Sequence, residues 1–142
     1  MREILFKAKR ICDGEWVEGY YLRDQYHRGG KDIIFYRKDS DWFTVYTNII
    51  DPKTLCQFTG LCDKNGNKIW ENDILKTRDD QYAQVKFGLY NPGSAISGFN
   101  QGFYVDFPEE SFLRKELGYW HKKAYVRGNV FDNPELLQEV PA

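Results

Sequence analysis

Short runs of apolar and aromatic residues, separated by turn residues, recur along the whole chain. Phe103, Val105 and Phe107 alternate with Tyr104 and Asp106, and a period of two is typical of a strand with one solvated face. Two such runs form a hairpin when a turn signal lies between them. The pattern predicts four hairpins, which join 6–11 to 16–22, 33–36 to 42–47, 55–61 to 68–70, and 74–77 to 82–87.

The third hairpin has the clearest turn signal. Asp63-Lys64-Asn65-Gly66 lies between its strands, and an Asn-Gly step suits the positive φ angles of a tight turn. The same stretch superficially resembles a calcium-binding loop, but such a loop needs its glycine at about the sixth position. Here the glycine is fourth, so we interpret the segment as a tight turn.

One helix is predicted, over residues 109–117. Pro108 can occupy a first helical position because its missing amide is not needed there. Glu109 and Glu110 favour the positive end of the helix dipole, and Gly118 is a typical residue at the far end.

The rest of the second half returns to strands. Residues 124–127 and 130–131 have strand character around Gly128-Asn129, and Asn133-Pro134-Glu135 predicts a terminal turn of helix. Polar loops are predicted at 24–31 and at 88–98, the second long enough to indicate a binding loop or disorder.

Asp51-Pro52 marks a boundary between two modules. Proline lacks the amide that a central strand needs, and it forces the preceding residue into an extended geometry. The chain is therefore predicted to be mainly β with one or two short helices. It divides into an N-terminal β-hairpin module, residues 1–53, and a second β module, residues 54–142.

Composition and charge narrow the class of protein. Aromatic residues make up 17% of the chain, which favours strands. The formal net charge is −1, so the whole-chain charge gives no reason to expect a nucleic-acid coat or a membrane surface. The charged start Met1-Arg2-Glu3-Ile4 and the lack of any run near the roughly 20 apolar residues of a spanning helix predict a cytoplasmic protein with no membrane partner.

Few residues in the sequence could form a catalytic or metal-binding site. The chain has no phosphate-binding Gly-rich loop, no His-Glu-x-x-His and no Gly-x-Ser-x-Gly motif. Its only histidines are His27 and His121, and Cys56 and Cys62 lack the second close pair that structural zinc usually requires. We therefore expect no metal and no cofactor, and we interpret Cys12, Cys56 and Cys62 as buried thiols in a reducing compartment.

A paired-carboxylate site is the one catalytic arrangement that the sequence offers. Glu71 and Asp73 stand two residues apart beside Trp70, a spacing that could support acid–base chemistry. Polar residues between two strands are more often a solvated turn, and a pocket joining this pair to His121 would be needed for catalysis. The protein is predicted not to be an enzyme.

A basic and aromatic run near residues 114–127 is the strongest nucleic-acid signal, because cations beside stacking aromatics can hold a single strand. Its candidate binding residues are Arg114, Lys115, Tyr119, Trp120, His121, Lys122, Lys123, Tyr125 and Arg127. In the alternative that we favour, Trp120 and Tyr125 belong to the core, while Lys122 and Lys123 solvate a strand edge. A more diffuse second patch comprises Arg23, Arg28, Lys31, Arg37 and Lys38 with Tyr26 and Tyr36.

Three blocks of sequence, residues 2–8, 57–75 and 128–137, resemble the YopX family of small proteins from bacteriophages and prophages, for which no biochemical function is established. The resemblance implies a mostly β protein whose second part is a small SH3-like barrel, with which the succession of strands from Leu55 onward agrees. It also implies accessory work inside an infected bacterial cell. The motif residues are Thr59, Gly60, Asp63, Asn65, Gly66, Trp70, Glu71, Asp73, Gly128, Asn129, Asn133 and Pro134.

The chain departs from the family in one turn, where Glu71-Asn72-Asp73 replaces the usual Glu-Gly-Asp. Asparagine tolerates positive φ better than most residues with a side chain, so we expect the turn to survive.

Two functions follow as hypotheses. In the first, the protein is a non-catalytic binding module that engages a protein of the bacterial host or phage, or itself as a homo-oligomer. It would do so through exposed strand edges and surface aromatics. In the second, it is a weak nucleic-acid-binding protein that uses the run 114–127.

Overall fold

The computed structural model describes residues 4–25, 30–38, 40–91, 98–108 and 115–137, and only the backbone of Trp42. Within these ranges the chain is mainly β, as predicted. In chain order the elements are β1 (Phe6–Lys9), β2 (Trp16–Asp24), β3 (Lys31–Lys38), β4 (Asp41–Ile49), a 3-10 turn (Pro52–Thr54), β5 (Cys56–Cys62), β6 (Lys68–Trp70), β7 (Asp73–Thr77), β8 (Tyr82–Tyr90), β9 (Asn100–Asp106), α1 (Leu117–Trp120), β10 (Ala124–Asn129) and a second 3-10 turn (Pro134–Leu137).

The four predicted hairpins are present with antiparallel strands, and the strands extend beyond the predicted ends. Backbone contacts divide the chain into two compact units, Met1–Phe58 and Thr59–Ala142. The division falls inside β5, whereas the prediction placed the boundary after residue 53.

In the first unit, β4, β3, β2 and β1 follow one another across an antiparallel sheet, and β1 also pairs with the start of β5. Its core contains Ala8, Ile34 and Ile50, which are almost completely buried. Partly buried side chains that pack against them are Phe6, Val17, Tyr21 and Leu55.

The chain just after β1 also contacts the chain at the end of β4. Arg10 and Ile50 form an antiparallel bridge, the N–H of Ile11 donates to the carbonyl of Ile49 at 3.0 Å, and the N–H of Asp51 donates to the carbonyl of Lys9 at 2.9 Å. These bonds cover the outer edge of β4 at its end.

The second unit contains an antiparallel sheet in the order β10, β7, β8, β9. One face of this sheet carries the apolar core, whose buried members are Ile69, Leu75, Ala83, Val85, Val105, Phe107, Leu117 and Ala124. This sheet is consistent with the SH3-like barrel that the family resemblance implies, and the barrel itself stays a prediction.

The structure corrects two local predictions. Of the predicted helix 109–117, residues 109–114 lie outside the described residues. Glu116 is extended and bridges to Tyr104, so the helical turn begins only at Leu117 and passes through Gly118 instead of ending there. Residues 130–131 form a turn, because Asn129 binds the backbone that follows it.

Parts of both predicted loops are strand. β2 continues to Asp24, β3 begins at Lys31, and β8 continues to Tyr90. The central parts of the two loops, 26–29 and 92–97, lie outside the described residues. Among the described helices, none is long and apolar enough to cross a membrane.

Candidate functional site

The described part of the basic and aromatic run, residues 115–127, does not form one continuous surface. Trp120 packs against the core of the second unit, with its ring edge-on to Phe107 at a centroid distance of 5.3 Å. Leu117 and Ala124 of the same run are buried. Trp120 therefore packs with the core, as predicted by the alternative that we favoured from the sequence.

The two tyrosines of the run are each covered by a lysine. Lys123 Nζ lies 4.6 Å from the centre of the Tyr119 ring, and Lys64 Nζ lies 4.9 Å from the centre of the Tyr125 ring. A cation above the face of an aromatic ring is attracted to it electrostatically. Tyr125 is only partly buried, so its predicted place in the core is not what the structure shows.

The other members of the run are scattered. Lys122 and Arg127 are exposed and Lys115 is half-buried, while Arg114 lies outside the described residues. His121 Nδ1 is 2.9 Å from the carbonyl oxygen of Cys62, which ties the end of the helical turn to β5.

Some residues of the second, more diffuse patch also make contacts within the fold. Arg23 pairs with Asp32 at 2.6 Å, and Lys38 Nζ lies 4.7 Å from the centre of the Tyr46 ring, which stacks on Tyr36. The remaining described members, Lys31 and Arg37, are exposed. Arg28 and Tyr26 lie outside the described residues.

Asp32 is a buried carboxylate at the start of β3, opposite β2. The hydroxyl of Tyr21 donates to Asp32 Oδ1 at 2.5 Å, and this hydrogen bond together with burial raises the pKa of Tyr21. The contact locks the register of the two strands, in which Arg23 lies opposite Asp32.

Asp63 organises the predicted tight turn. Its Oδ1 accepts hydrogen bonds from the N–H groups of Asn65 and Asn67, both at 2.9 Å, and its Oδ2 accepts one from the N–H of Val126 at 2.8 Å. Burial raises the pKa of this carboxyl, but these bonds outweigh burial and lower it below its usual range. A carboxylate engaged by several backbone N–H groups is a structural anion.

Asp73, one of the two carboxylates of the predicted pair, has a structural role. Asp73 is 2% exposed, and its Oδ2 accepts the N–H of Trp70 at 2.8 Å, so it closes the turn between β6 and β7. Asn72 in that turn has a φ of 70°, which is the positive angle expected where the family has glycine. In the neighbouring strands, the Thr59 hydroxyl donates to the carbonyl of Ile69 at 2.7 Å.

The motif near residue 130 is a second network of turn contacts. Asn129 Oδ1 accepts the N–H groups of Phe131 and Asp132 at 3.0 and 2.9 Å. The N–H of Asn133 donates to the carbonyl of Asn129 at 2.8 Å, and Pro134 then begins the 3-10 turn. Asn129, Asn133 and Pro134 thus have structural roles in this turn.

The cysteines differ from their prediction. They are thiols, but only Cys56 is buried, while Cys12 and Cys62 are exposed. Cys12 lies in the turn that follows β1, and Cys62 is the last residue of β5. Among the described residues, no three His, Cys, Asp or Glu side chains are grouped so that they could hold a metal ion.

The largest feature that the sequence did not reveal is an exposed apolar face on the first unit. In the sheet register, Leu22 lies opposite Ile33 and Ile33 lies opposite Ile49, so one apolar row crosses three strands. These side chains point away from Ala8 and Ile34, because neighbouring residues of a strand face opposite sides.

A second row extends this face. Tyr20 lies opposite Phe35, with ring centroids 5.7 Å apart. The register of β3 and β4 shifts between Tyr46 and Asp41, so alternation does not assign Phe43 and Val45, which are exposed, to this face. We define the outer face as Tyr20, Leu22, Ile33, Phe35 and Ile49.

Comparisons with known proteins address the fold and the family. The crystal structure of protein EF1440 from Enterococcus faecalis is similar, with a TM-score of 0.51 and 20% sequence identity over 97% of this chain and 100% of that chain. At this identity the likeness concerns the fold alone. No curated protein matches the chain. The family model described as YopX protein matches residues 5–138, and the chain therefore belongs to the YopX family.

Proposed function

We propose that this protein is a non-catalytic binding module that engages another protein through the outer face of its first unit. The observation that supports this most directly is the row Leu22–Ile33–Ile49. Leu22 is 49% exposed and Ile49 is 44% exposed, although both belong to regular strands of the sheet. Large contiguous apolar patches on a folded protein usually mark a site of interaction.

The composition of the outer face suits a protein partner. Tyr20 and Phe35 offer rigid aromatic area, and aromatic residues are frequent anchors of protein interfaces. β-branched side chains such as Ile33 and Ile49 lose little rotamer freedom when they are covered. The face therefore offers apolar area to a partner at a low entropic cost.

A polar border limits the outer face on the side of β1. Lys7 and Lys9 both lie over the Trp16 ring, with Nζ 4.7 and 5.4 Å from its centre. Glu18 lies opposite Lys7 in the register. An apolar centre with a charged rim is the usual arrangement of a specific interface, in which the rim selects the partner.

The partner class that we propose is a protein of the bacterial host or of a phage. This follows from the accessory role in infected cells that the family resemblance implies. A non-catalytic role is supported by Asp63 and Asp73, two acidic residues of the motif whose carboxylates accept hydrogen bonds from backbone N–H groups.

A pull-down from nuclease-treated bacterial lysate tests the proposal. The tagged wild type is compared with Leu22→Lys, which places a charge in the centre of the outer face. Leu89→Lys is the matched control, since Leu89 is an equally apolar, 69% exposed residue of the second unit. We expect a captured protein to be lost with Leu22→Lys and retained with Leu89→Lys. Equal capture by all three proteins would contradict the proposal.

Weak nucleic-acid binding by the run 114–127 is the alternative. It is supported by the partial exposure of Tyr119 and Tyr125 beside Lys123 and Lys64. Binding of a single-stranded oligonucleotide would weaken steeply with salt, and Lys123→Ala would reduce it. An absence of binding at low salt removes this alternative and leaves the first proposal untouched.

A further inference from the structure

One cross-strand row of the second unit carries two tyrosines on either side of a lysine. In the sheet register, Tyr125 of β10 lies opposite Lys76 of β7, and Lys76 lies opposite Tyr82 of β8. The register is regular at these positions, since the shift between β10 and β7 comes only after Val126. Residues directly opposite each other in a sheet point to the same side, so the three side chains stand next to one another.

This row lies on the face of the sheet that turns away from the core. Leu75 and Ala83, which lie opposite each other in β7 and β8, are both 1% exposed and belong to the core. Because neighbouring residues of a strand face opposite sides, Lys76 and Tyr82 point the other way. Lys76, Tyr82 and Tyr125 are half-buried, so each presents part of its side chain to solvent.

Lysine ammonium groups lie close to both rings of the row. Lys76 Nζ is 5.8 Å from the centre of the Tyr82 ring. Lys64 Nζ, from the turn after β5, is 4.9 Å from the centre of the Tyr125 ring. A cation is attracted to the face of an aromatic ring, so both ammonium groups stay beside the rings. We define the tyrosine–lysine row as Lys64, Lys76, Tyr82 and Tyr125.

More positive than negative charge surrounds the row. Thr77 at the end of β7 lies opposite Ala124 at the start of β10, so the residues that follow Thr77 and precede Ala124 lie at the same end of the strand pair. The charged residues of the row and of this end are Lys64, Lys76, Arg78, Lys123, Asp79 and Asp80. Four positive charges against two negative ones give this surface a positive excess, although the whole chain has a net charge of −1.

We propose that the tyrosine–lysine row binds a single-stranded nucleic acid, DNA or RNA. Lys64 and Lys76 contact phosphates, while bases stack on Tyr82 and Tyr125. Proteins hold single strands without reading their sequence by this combination of cations and rings. The bases of a duplex are stacked on one another, so they offer the rings no free face. The site lies in the second unit and goes beyond the proposed protein-binding face of the first.

The row differs from the run 114–127 in its residues. Lys76 and Tyr82 lie outside that run, and the sheet register alone shows that they adjoin Tyr125. The row therefore assigns nucleic-acid contacts to two residues that the basic and aromatic run does not contain.

Asp80 competes with a phosphate for Lys76. Its Oδ1 lies 3.2 Å from Lys76 Nζ, and the Asp80 side chain is 81% exposed. The hydrogen bond to Asp80, followed by the neighbouring Tyr125 and Tyr82, raises the pKa of Lys76, so this lysine is cationic at neutral pH. An ion pair this exposed contributes little to stability, and a phosphate can therefore replace Asp80 as the partner of Lys76.

Fluorescence anisotropy of a labelled oligonucleotide with the full chain tests the proposal. We expect tighter binding of oligo-dT and oligo-U than of a duplex of equal length, and the first two probes show which sugar is preferred. Affinity should fall as salt rises from about 50 to about 200 mM. Lys76→Gln should weaken binding at low salt and reduce the slope of log affinity against log salt by about 0.7, the value for one phosphate contact. No binding of either single strand at low salt would overturn the proposal.

Substitutions of Tyr82 separate stacking from charge. Tyr82→Leu removes the ring and should weaken binding at least about fivefold, the smallest loss typical of one base stack. Tyr82→Phe keeps the ring and should bind like the wild type. Thermal unfolding of both variants checks the fold. Equal binding by wild type and Tyr82→Leu would show that no base stacks on this ring, and the row would be rejected.

A gain of binding supplies a test that unfolding cannot imitate. Asp80→Asn removes the carboxylate that competes for Lys76 and should strengthen binding, and asparagine tolerates the φ of 59° at this position. Asp106→Asn is the matched control, because Asp106 pairs at 2.8 Å with Lys86, a lysine of the same sheet face outside the row. Its effect should be much smaller. Equal strengthening by both variants would show that net charge alone attracts the nucleic acid, and would overturn the row as its site.

This inference and the proposed function fail separately. Leu22→Lys should lose a captured host or phage protein and still bind the single strand. A wild type that captures a protein through Leu22 but binds no oligonucleotide would reject the row alone. Weaker binding by Lys123→Ala, together with unchanged binding by Lys76→Gln and Tyr82→Leu, would place the nucleic acid on the run 114–127 and overturn the row.

Discussion

The carboxylate of Asp63 accepts a hydrogen bond from the backbone N–H of Val126, 63 residues further along the chain. The same carboxylate holds the turn after β5 through Asn65 and Asn67. One side chain thus fixes a local turn and attaches β10 to it. A second bond, from the N–H of Lys64 to the carbonyl of Ala124 at 3.1 Å, strengthens the same connection.

Asp63→Asn should destabilise the protein. An amide can present its oxygen to Asn65 and Asn67 or to Val126, and its NH₂ group then faces a backbone donor on the other side. Loss of hydrogen bonds to a buried charged acceptor costs about 1–3 kcal/mol. Urea unfolding at neutral pH measures the change in the free energy of unfolding. Asp79→Asn in the exposed turn after β7 is the control, and an equal loss in both variants would contradict a special role for Asp63.

The contribution of Asp63 should also depend on pH. Its folded pKa is lowered, because the hydrogen bonds outweigh the effect of burial. A group with a lowered folded pKa contributes stability above its unfolded pKa of about 3.9, and that contribution is lost as the pH falls through the folded pKa. The difference in melting temperature between wild type and Asp63→Asn should therefore shrink below about pH 4. A difference that stays constant down to the acid transition would contradict a lowered pKa of this carboxyl in the folded state.

Gly128 should not tolerate a side chain. A Cβ at this position would collide with the side chain of Asn133, whose amide oxygen accepts the N–H of Asn129 at 3.3 Å. Gly128→Ala must displace Asn133 and open the turn. We therefore expect the free energy of unfolding to fall by about 1–3 kcal/mol, which is typical of overpacking. Thermal unfolding of the variant and the wild type measures this change.

Gly118→Ala is the matched control for that substitution. Gly118 lies in the helical turn, and a Cβ there meets nothing within 4 Å. Replacing glycine at a compatible helical position restricts the unfolded chain and stabilises by about 0.4–1 kcal/mol. If both variants were destabilised equally, steric contact with Asn133 would not be the cause.

Local chemistry explains why the hairpins could be predicted from the sequence. The step Asn65-Gly66 supplies a residue that adopts a positive φ without strain, and Gly66 has a φ of 86°. The strands on each side alternate with the period that a half-buried sheet requires. Such signals lie within a few residues of one another, so they need no knowledge of the tertiary fold.

The outer face could not be predicted from the sequence, because its exposure depends on contacts between residues that are distant in the chain. Alternation separates Tyr20 from Tyr21 and Ile33 from Ile34, but both faces of β2 and β3 are apolar, so the pattern does not reveal which one is covered. That is decided by Ala8 and Ile50, which are distant in sequence. Likewise the helix signals at 108–110 did not predict the bond from the N–H of Val105 to the carbonyl of Lys115 at 2.8 Å, which holds the chain extended before Leu117.

Thiol reactivity should distinguish the three cysteines. Cys12 and Cys62 are exposed, whereas Cys56 is 1% exposed and its Sγ donates to the carbonyl of Thr54 at 3.2 Å. A thiol reagent added to the native protein should label two groups quickly and the third only on unfolding, because access governs reactivity. Cys12→Ser and Cys62→Ser should each remove one fast equivalent. Three fast equivalents in the native protein would contradict the burial of Cys56.

Trp120 and Tyr119 are adjacent in sequence and differ in their predicted response to truncation. Trp120 packs into the core and meets Phe107, so Trp120→Ala should lower the free energy of unfolding by about 3 kcal/mol, near the lower end for large aromatic residues in cores. Trp120→Phe should recover most of it. Tyr119 has Lys123 over its ring, a contact worth about 0.5–1 kcal/mol at an exposed site, so Tyr119→Ala should cost much less.

Chemical unfolding of the three variants measures the order of their free energies of unfolding. A Trp120→Ala variant as stable as the wild type would place this ring outside the core and restore it as a platform on which a nucleic-acid base could stack.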